Sequence, residues 1–169
     1  MSASLKDIEE QLQRDRGSPE AEWDVINTLL KQSESEADTI LKWVFAQYKG
    51  YTETRARAGF QFLQNNPAEG WHILERLVSS SDPDDRDTAL AVLAALHDIN
   101  AAQLAKPLLN DPTPYLQLDA AEFLWEFFPS EVNACLEKLI EHEVSWVSCA
   151  ARELLPKLKR KEDTNAGIK

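Results

Sequence analysis

The chain is poor in the residues that most small functional sites are built from: of 169 residues, two are cysteine, three histidine, one methionine and five glycine. Cys135 and Cys149 cannot supply a disulfide framework or a four-cysteine zinc site, and both fall where the pattern reads as helix interior, as small buried hydrophobes. His72, His97 and His142 stand far apart without the close helical spacing of metal ligands, so no metal is expected. Glycine-rich phosphate loops of the G-x-G-x-x-G or G-x-x-x-x-G-K-S kind are missing, and no cofactor is expected. The longest apolar run, Ala89 to Leu96, is far short of the ~20 residues that cross a bilayer. The N-terminal stretch has a polar helical period and no apolar signal core, which points to the cytoplasm. Basic charge is the last shortage. With 18 Lys and Arg against 29 Asp and Glu, the net charge of −11 repels nucleic acid and anionic membranes and suits a basic protein partner.

What the chain has in quantity is helical punctuation. Capping residues, prolines and acidic side chains recur ahead of apolar positions at i, i+3, i+4 and i+7, and predict ten helices. These run over about 4–15, 18–32, 35–48, 52–65, 66–78, 83–97, 101–110, 114–128, 131–142 and 146–157. Ser18, Thr52 and Asn66 are the predicted N-terminal caps, and Gly50 the cap that ends the third helix.

An internal repeat organises these helices. Ala58, Ala89, Ala120 and Ala151 are spaced by 31 residues without a gap, and Phe62, Leu93, Leu124 and Leu155 keep the same interval. In the preceding helices Leu77, Leu108 and Leu139 align, as do Ile73, Leu104 and Cys135. A unit of two helices at a fixed period near 30 cannot bury its apolar face alone, so stacked neighbours must do it. The fold class expected is therefore all-α: a right-handed α-solenoid of about five helical hairpins. Alanine at the repeated position lets two helix backbones approach closely, and Leu or Phe four residues on fills the space between hairpins.

The segment Asp82-Pro83-Asp84-Asp85-Arg86, followed by Ala89 and Leu93, resembles the bacterial HEAT repeat, as does Asp111-Pro112-Thr113-Pro114 followed by Leu116, Ala120 and Leu124. In that family an Asp-Pro turn, a Val-Arg pair and a run of small residues open the second helix of each unit. The resemblance spans about 52–158. It departs from the pattern where Gln117 and Ser148 replace the arginine kept at Arg55 and Arg86, which leaves the continuity of an Arg-Asp ladder open. Residues 1–158 then read as one solenoid domain with 1–50 as atypical capping hairpins, and 159–169, lacking an apolar period, as a disordered tail.

No catalytic constellation emerges. Glu9-Glu10 and Asp84-Asp85 are adjacent and diverge on a helix, and Ser79-Ser80-Ser81 has neither a nucleophile elbow nor a paired histidine. The chain is read as a non-enzyme. In HEAT-like solenoids the second helices line the concave side, and the 31-residue spacing places Phe60, Ala91, Glu122 and Glu153 outward there, with Thr88 and Asp119 in a parallel row and Glu126 in a third. Asp119, Glu122 and Glu126 make an acidic stripe. Trp125, which replaces Ala94 of the preceding unit, and Trp146 at a helix start are candidate aromatic anchors. The function expected is protein–protein interaction, most concretely an acidic immunity protein or inhibitor that neutralises a basic effector such as a nuclease toxin. The other reading is a scaffold or assembly adaptor, including a cofactor-lyase-like chaperone.

Overall fold

A computed structural model describes residues 5–14, 17–32 and 36–166. Among them there is no strand, and ten α-helices follow one another: α1 Leu5–Arg14, α2 Pro19–Gln32, α3 Ala37–Ala46, α4 Thr52–Asn65, α5 Pro67–Val78, α6 Pro83–Leu96, α7 Ile99–Ala105, α8 Pro114–Leu124, α9 Pro129–Ile140 and α10 Ser145–Ala166. Where the repeat reads as one run over 1–158, the contacts group the chain into two compact units, Met1–Leu96 and His97–Lys169.

In the first unit α4 is the central helix, packed against α2, α3, α5 and α6. Its Gly59 faces the Phe45 ring of α3, where a Cβ would come within 2.6 Å of ring carbons. A helix-interior glycine costs about 1 kcal/mol against alanine, and here it allows the two backbones to close on a phenylalanine. In the second unit α10 packs on α8 and α9, and α8 on the 3-10 turn Lys106–Asn110 that continues α7. The helix expected over 101–110 thus changes character at its end. Pro107 has no N–H to donate four residues back, and the chain tightens to 3-10 pitch. The cap of α7 also lies earlier, at Asp98, whose carboxylate accepts from the Ala101 amide at 2.8 Å.

Two further helix ends differ from expectation. α8 stops at Leu124 rather than near 128, and the amides of Phe127 and Phe128 both donate to the Leu124 carbonyl. Pro129 bars its predecessor from helical geometry, and Phe128 sits at φ −138° and ψ 59°. α10 instead runs on to Ala166, so the expected disordered tail is helical over 159–166. Leu158 anchors it in the core at 1% exposure, Arg160 Nε donates to the Pro156 carbonyl, and no breaker follows Pro156 before Gly167.

Most of the repeated positions lie in the cores of the units, although Leu104 and Leu155 are only partly buried. Ala58, Ala89, Ala120 and Ala151 are each 0% exposed, and Leu93 and Leu124 with them. The Asp-Pro turns also repeat in detail: Asp82 Oδ1 accepts from the Asp84 amide and Asp111 Oδ1 from the Thr113 amide, the same two-residue Asx turn ahead of α6 and α8. Ala120→Leu is expected to cost about 1 to 3 kcal/mol by overpacking, while Ala91→Leu, on a partly open face, stays within about 0.5 kcal/mol. Thermal melts of the two variants check this, and equal shifts would contradict the face assignment.

Candidate functional site

The outward positions of α4 and α6 meet in a groove within the first unit. Its cavity volume is about 600 Å³. Ala56 and Phe60 of α4 line it together with Ala91 and Ala95 of α6 and Trp23 of α2. Glu53, Arg57 and Gln61 supply its polar groups. Arg57 holds its guanidinium carbon 5.8 Å from the centre of the Trp23 ring, and with Ser18 and the local backbone it keeps the Glu20 carboxyl below its usual range, backbone hydrogen bonding contributing most. Phe60 and Ala91, inferred from repeat spacing alone, are thus neighbours in a real concavity. The sequence pattern missed Glu53, Ala56 and Gln61; Trp23, an inward position of α2 outside the 31-residue register, is 9% exposed.

Thr88, placed by spacing in the row beside them, is not on that surface. It is fully buried, with its hydroxyl donating to the Asp84 carbonyl at 2.8 Å. That local bond satisfies its only polar group and lets it serve as a core residue.

In the second unit Asp119 and Glu122 lie exposed on α8, and Glu126 is exposed in the turn just past the helix end. Glu153 is exposed on α10. The stripe is therefore two carboxylates on a helix face and a third on a turn. Glu126 Oε2 sits 3.2 Å from His97 Nε2. His97 holds a left-handed φ of 49°, and its ring lies 5.5 Å from Phe127 and 6.1 Å from Phe123. A histidine in this region is uncommon.

The tryptophans divide. Trp125 is buried at 6% exposure and is a core residue, not a surface anchor. Where the preceding unit has Ala94, the bulk goes into the core. Trp146, with Val144 before it, is exposed at the start of α10, at 53%. Of the cysteines, Cys135 is buried, its thiol pushed up by burial and donating to the Leu109 carbonyl. Cys149 is exposed, against expectation, because the inward positions of α10 are Val147, Ala151 and Leu158, and it falls on the opposite side of the helix.

Arg55, fully buried, donates to Asp85 Oδ1 at 2.7 Å and to the Phe45 carbonyl, and Lys49 Nζ bridges Asp82 and Asp85 at 2.7 and 2.8 Å. Gln117, at the corresponding place of the second unit, donates to the Asp111 backbone carbonyl instead. Arg86, one repeat earlier, likewise donates to the backbone carbonyl six residues back, that of Ser80, so this bond is kept while its donor is no longer charged. Among the described residues no three His, Cys, Asp or Glu side chains gather as a metal site would need, and no helix is long and apolar enough to cross a membrane. No protein family and no curated protein matches the chain.

Proposed function

We propose that this chain is a non-enzymatic protein-binding module of the HEAT-like α-solenoid kind, which acts in the cytoplasm by holding a basic protein. The observation that carries the reading is the set of solvent-exposed carboxylates of Asp119, Glu122 and Glu126 in a chain of net charge −11. The solenoid reading draws support from the fully buried alanines at 31-residue spacing. Exposed acidic side chains raise the association rate of a positively charged partner and repel acidic competitors. The concrete form is an immunity protein or inhibitor that covers a basic effector such as a nuclease toxin. An assembly scaffold is the second reading, favoured by the exposed Trp146 and Val144, which give a second protein an apolar foothold.

Single exposed charges contribute little, so all three carboxylates are reversed together as Asp119→Lys, Glu122→Lys and Glu126→Lys. A partner captured from the source cells and purified is expected to associate at least about tenfold more slowly with this variant, and with a weaker dependence on salt, than with the natural chain. An unchanged on-rate and salt slope, with the helical spectrum retained, overturns the acidic-face reading. Assaying the partner's own activity with and without the chain then separates inhibitor from scaffold.

A further inference from the structure

We propose that the groove between α4 and α6 in the first unit is a docking site for an amphipathic helix borne by a basic protein. This rests on the protein-binding reading but not on the α8 carboxylates, since every residue used lies within the first unit.

The groove's shape selects a helix. Ala91 and Ala95 are one turn apart on α6, and Ala56 and Phe60 one turn apart on α4, so two short ridges flank a channel with a low alanine wall on one side and an aromatic wall on the other. A helix laid along such a channel inserts anchors at i, i+3 or i+4, and i+7. The volume of about 600 Å³ is that of a pocket for a drug-sized ligand and exceeds what one side chain fills, so more than one anchor is accommodated. The alanines let the incoming backbone come close, while the half-buried Phe60 supplies the aromatic anchor contact and Trp23, 9% exposed, lines the groove with little free area of its own.

Charge selects the partner. The first unit has 17 acidic and 10 basic side chains and so carries seven of the eleven excess negative charges. Of the two ionic groups in the groove, Arg57 faces the Trp23 ring and the Glu20 carboxyl, which leaves Glu53 as the group suited to a lysine or arginine on the incoming helix. A second copy of this chain would bring like charge and is disfavoured on the same ground.

The test is selection of displayed random peptides of about 15 residues, long enough to form a helix, on the full chain. It is run in parallel on Ala95→Trp, which fills the groove from an exposed position, and on Phe60→Ala, with circular dichroism confirming that both fold. The expected pool has apolar residues at helical spacing and an excess of Lys and Arg, and its members bind both variants at least about 30-fold more weakly, the loss typical of a central aromatic anchor. The same peptides are expected to bind the triple α8 reversal with a groove affinity within about threefold of the natural chain, so the groove and the acidic face succeed or fail separately. Three outcomes overturn the proposal. They are no pool enriched on the natural chain over Ala95→Trp, a pool without helical apolar spacing, and a pool without basic excess. Binding of a small apolar dye in the groove, with no peptide enriched, belongs to the first and assigns the groove to a small ligand.

Discussion

Asp85→Ala is expected to remove about 3 to 5 kcal/mol from the first unit. Arg55 is 1% exposed and Asp85 15%, so deleting the carboxylate strands a guanidinium in the core with only carbonyl partners. Its Nε is already without a partner, so the site has no spare hydrogen bond to absorb the change. Lys49 touches the same carboxylate but is 57% exposed, and Lys49→Ala should cost no more than about 1 kcal/mol. Removing both partners as Arg55→Met with Asp85→Ala should recover a large part of the loss, because an apolar side chain of similar length carries no desolvation cost. Burial pushes the Asp85 carboxyl up, but hydrogen bonds from Lys49, Arg55 and Ser80 outweigh it and hold the group below the usual aspartate range. Asp82 is held down chiefly by Lys49. A carboxyl depressed in the folded state stabilises above its unfolded pKa, ~3.9, and that stability drains away as pH falls through the lower folded value. Asp87, raised mainly by its own burial, works in the opposite sense. Urea unfolding followed by circular dichroism should therefore show the natural chain weakening below about pH 4, with a shallower slope in Asp85→Asn. A Lys49→Ala loss as large as that of Asp85→Ala would mean that the buried pair does not dominate.

What was legible in the sequence is what periodicity controls. The ten helices, the burial of the four spaced alanines and the meeting of Phe60 with Ala91 all follow from registers of 3.6 and 31 residues. What was not legible is what a single side chain decides. Thr88 shares the register of exposed Asp119, yet a bond to its own helix takes it inside. Trp125 occupies the place of a smaller residue, and whether such bulk points in or out depends on the void opposite, which no spacing reports. Thr52, expected to cap α4, is its first residue and gives its hydroxyl to Asp87 of α6; Tyr51 takes the cap position. Ser18, by contrast, does cap α2 through the Ala21 amide. Caps whose partners lie within one turn can be read locally, while a hydroxyl with a tertiary acceptor within reach cannot.

Gly50 shows the same limit and leads to the second large effect. It was expected to cap the end of α3, but the cap position is Gln47, and no glycine among the described residues has a left-handed φ. It is needed because the chain passes too close to two side chains for a Cβ, which would lie 2.0 Å from a Tyr48 ring carbon and 2.7 Å from Glu22 Oε2. Glu22, in the first turn of α2, is fully buried; Tyr48 donates its hydroxyl to one carboxyl oxygen at 2.9 Å and the Tyr51 amide donates to the other at 3.2 Å. This carboxyl ties α2 to the segment between α3 and α4. Glu22→Ala is expected to cost about 3 to 5 kcal/mol, since it deprives two donors of an acceptor at about 1 to 3 kcal/mol each and opens a cavity. Glu22→Gln keeps the volume but turns an amide donor toward one of the two donors, and should cost about 1 to 3 kcal/mol. Gly50→Ala would gain up to about 1 kcal/mol by restricting the unfolded chain if space allowed; with the ring and the carboxyl in the way the sign reverses, to a net loss of about 1 to 3 kcal/mol. The decisive measurement is the double-mutant cycle of Glu22→Gln with Tyr48→Phe. A coupling of about 1 kcal/mol or more is expected from a shared buried hydrogen bond, whereas additivity within about 0.5 kcal/mol would mean that the two side chains stabilise the unit independently.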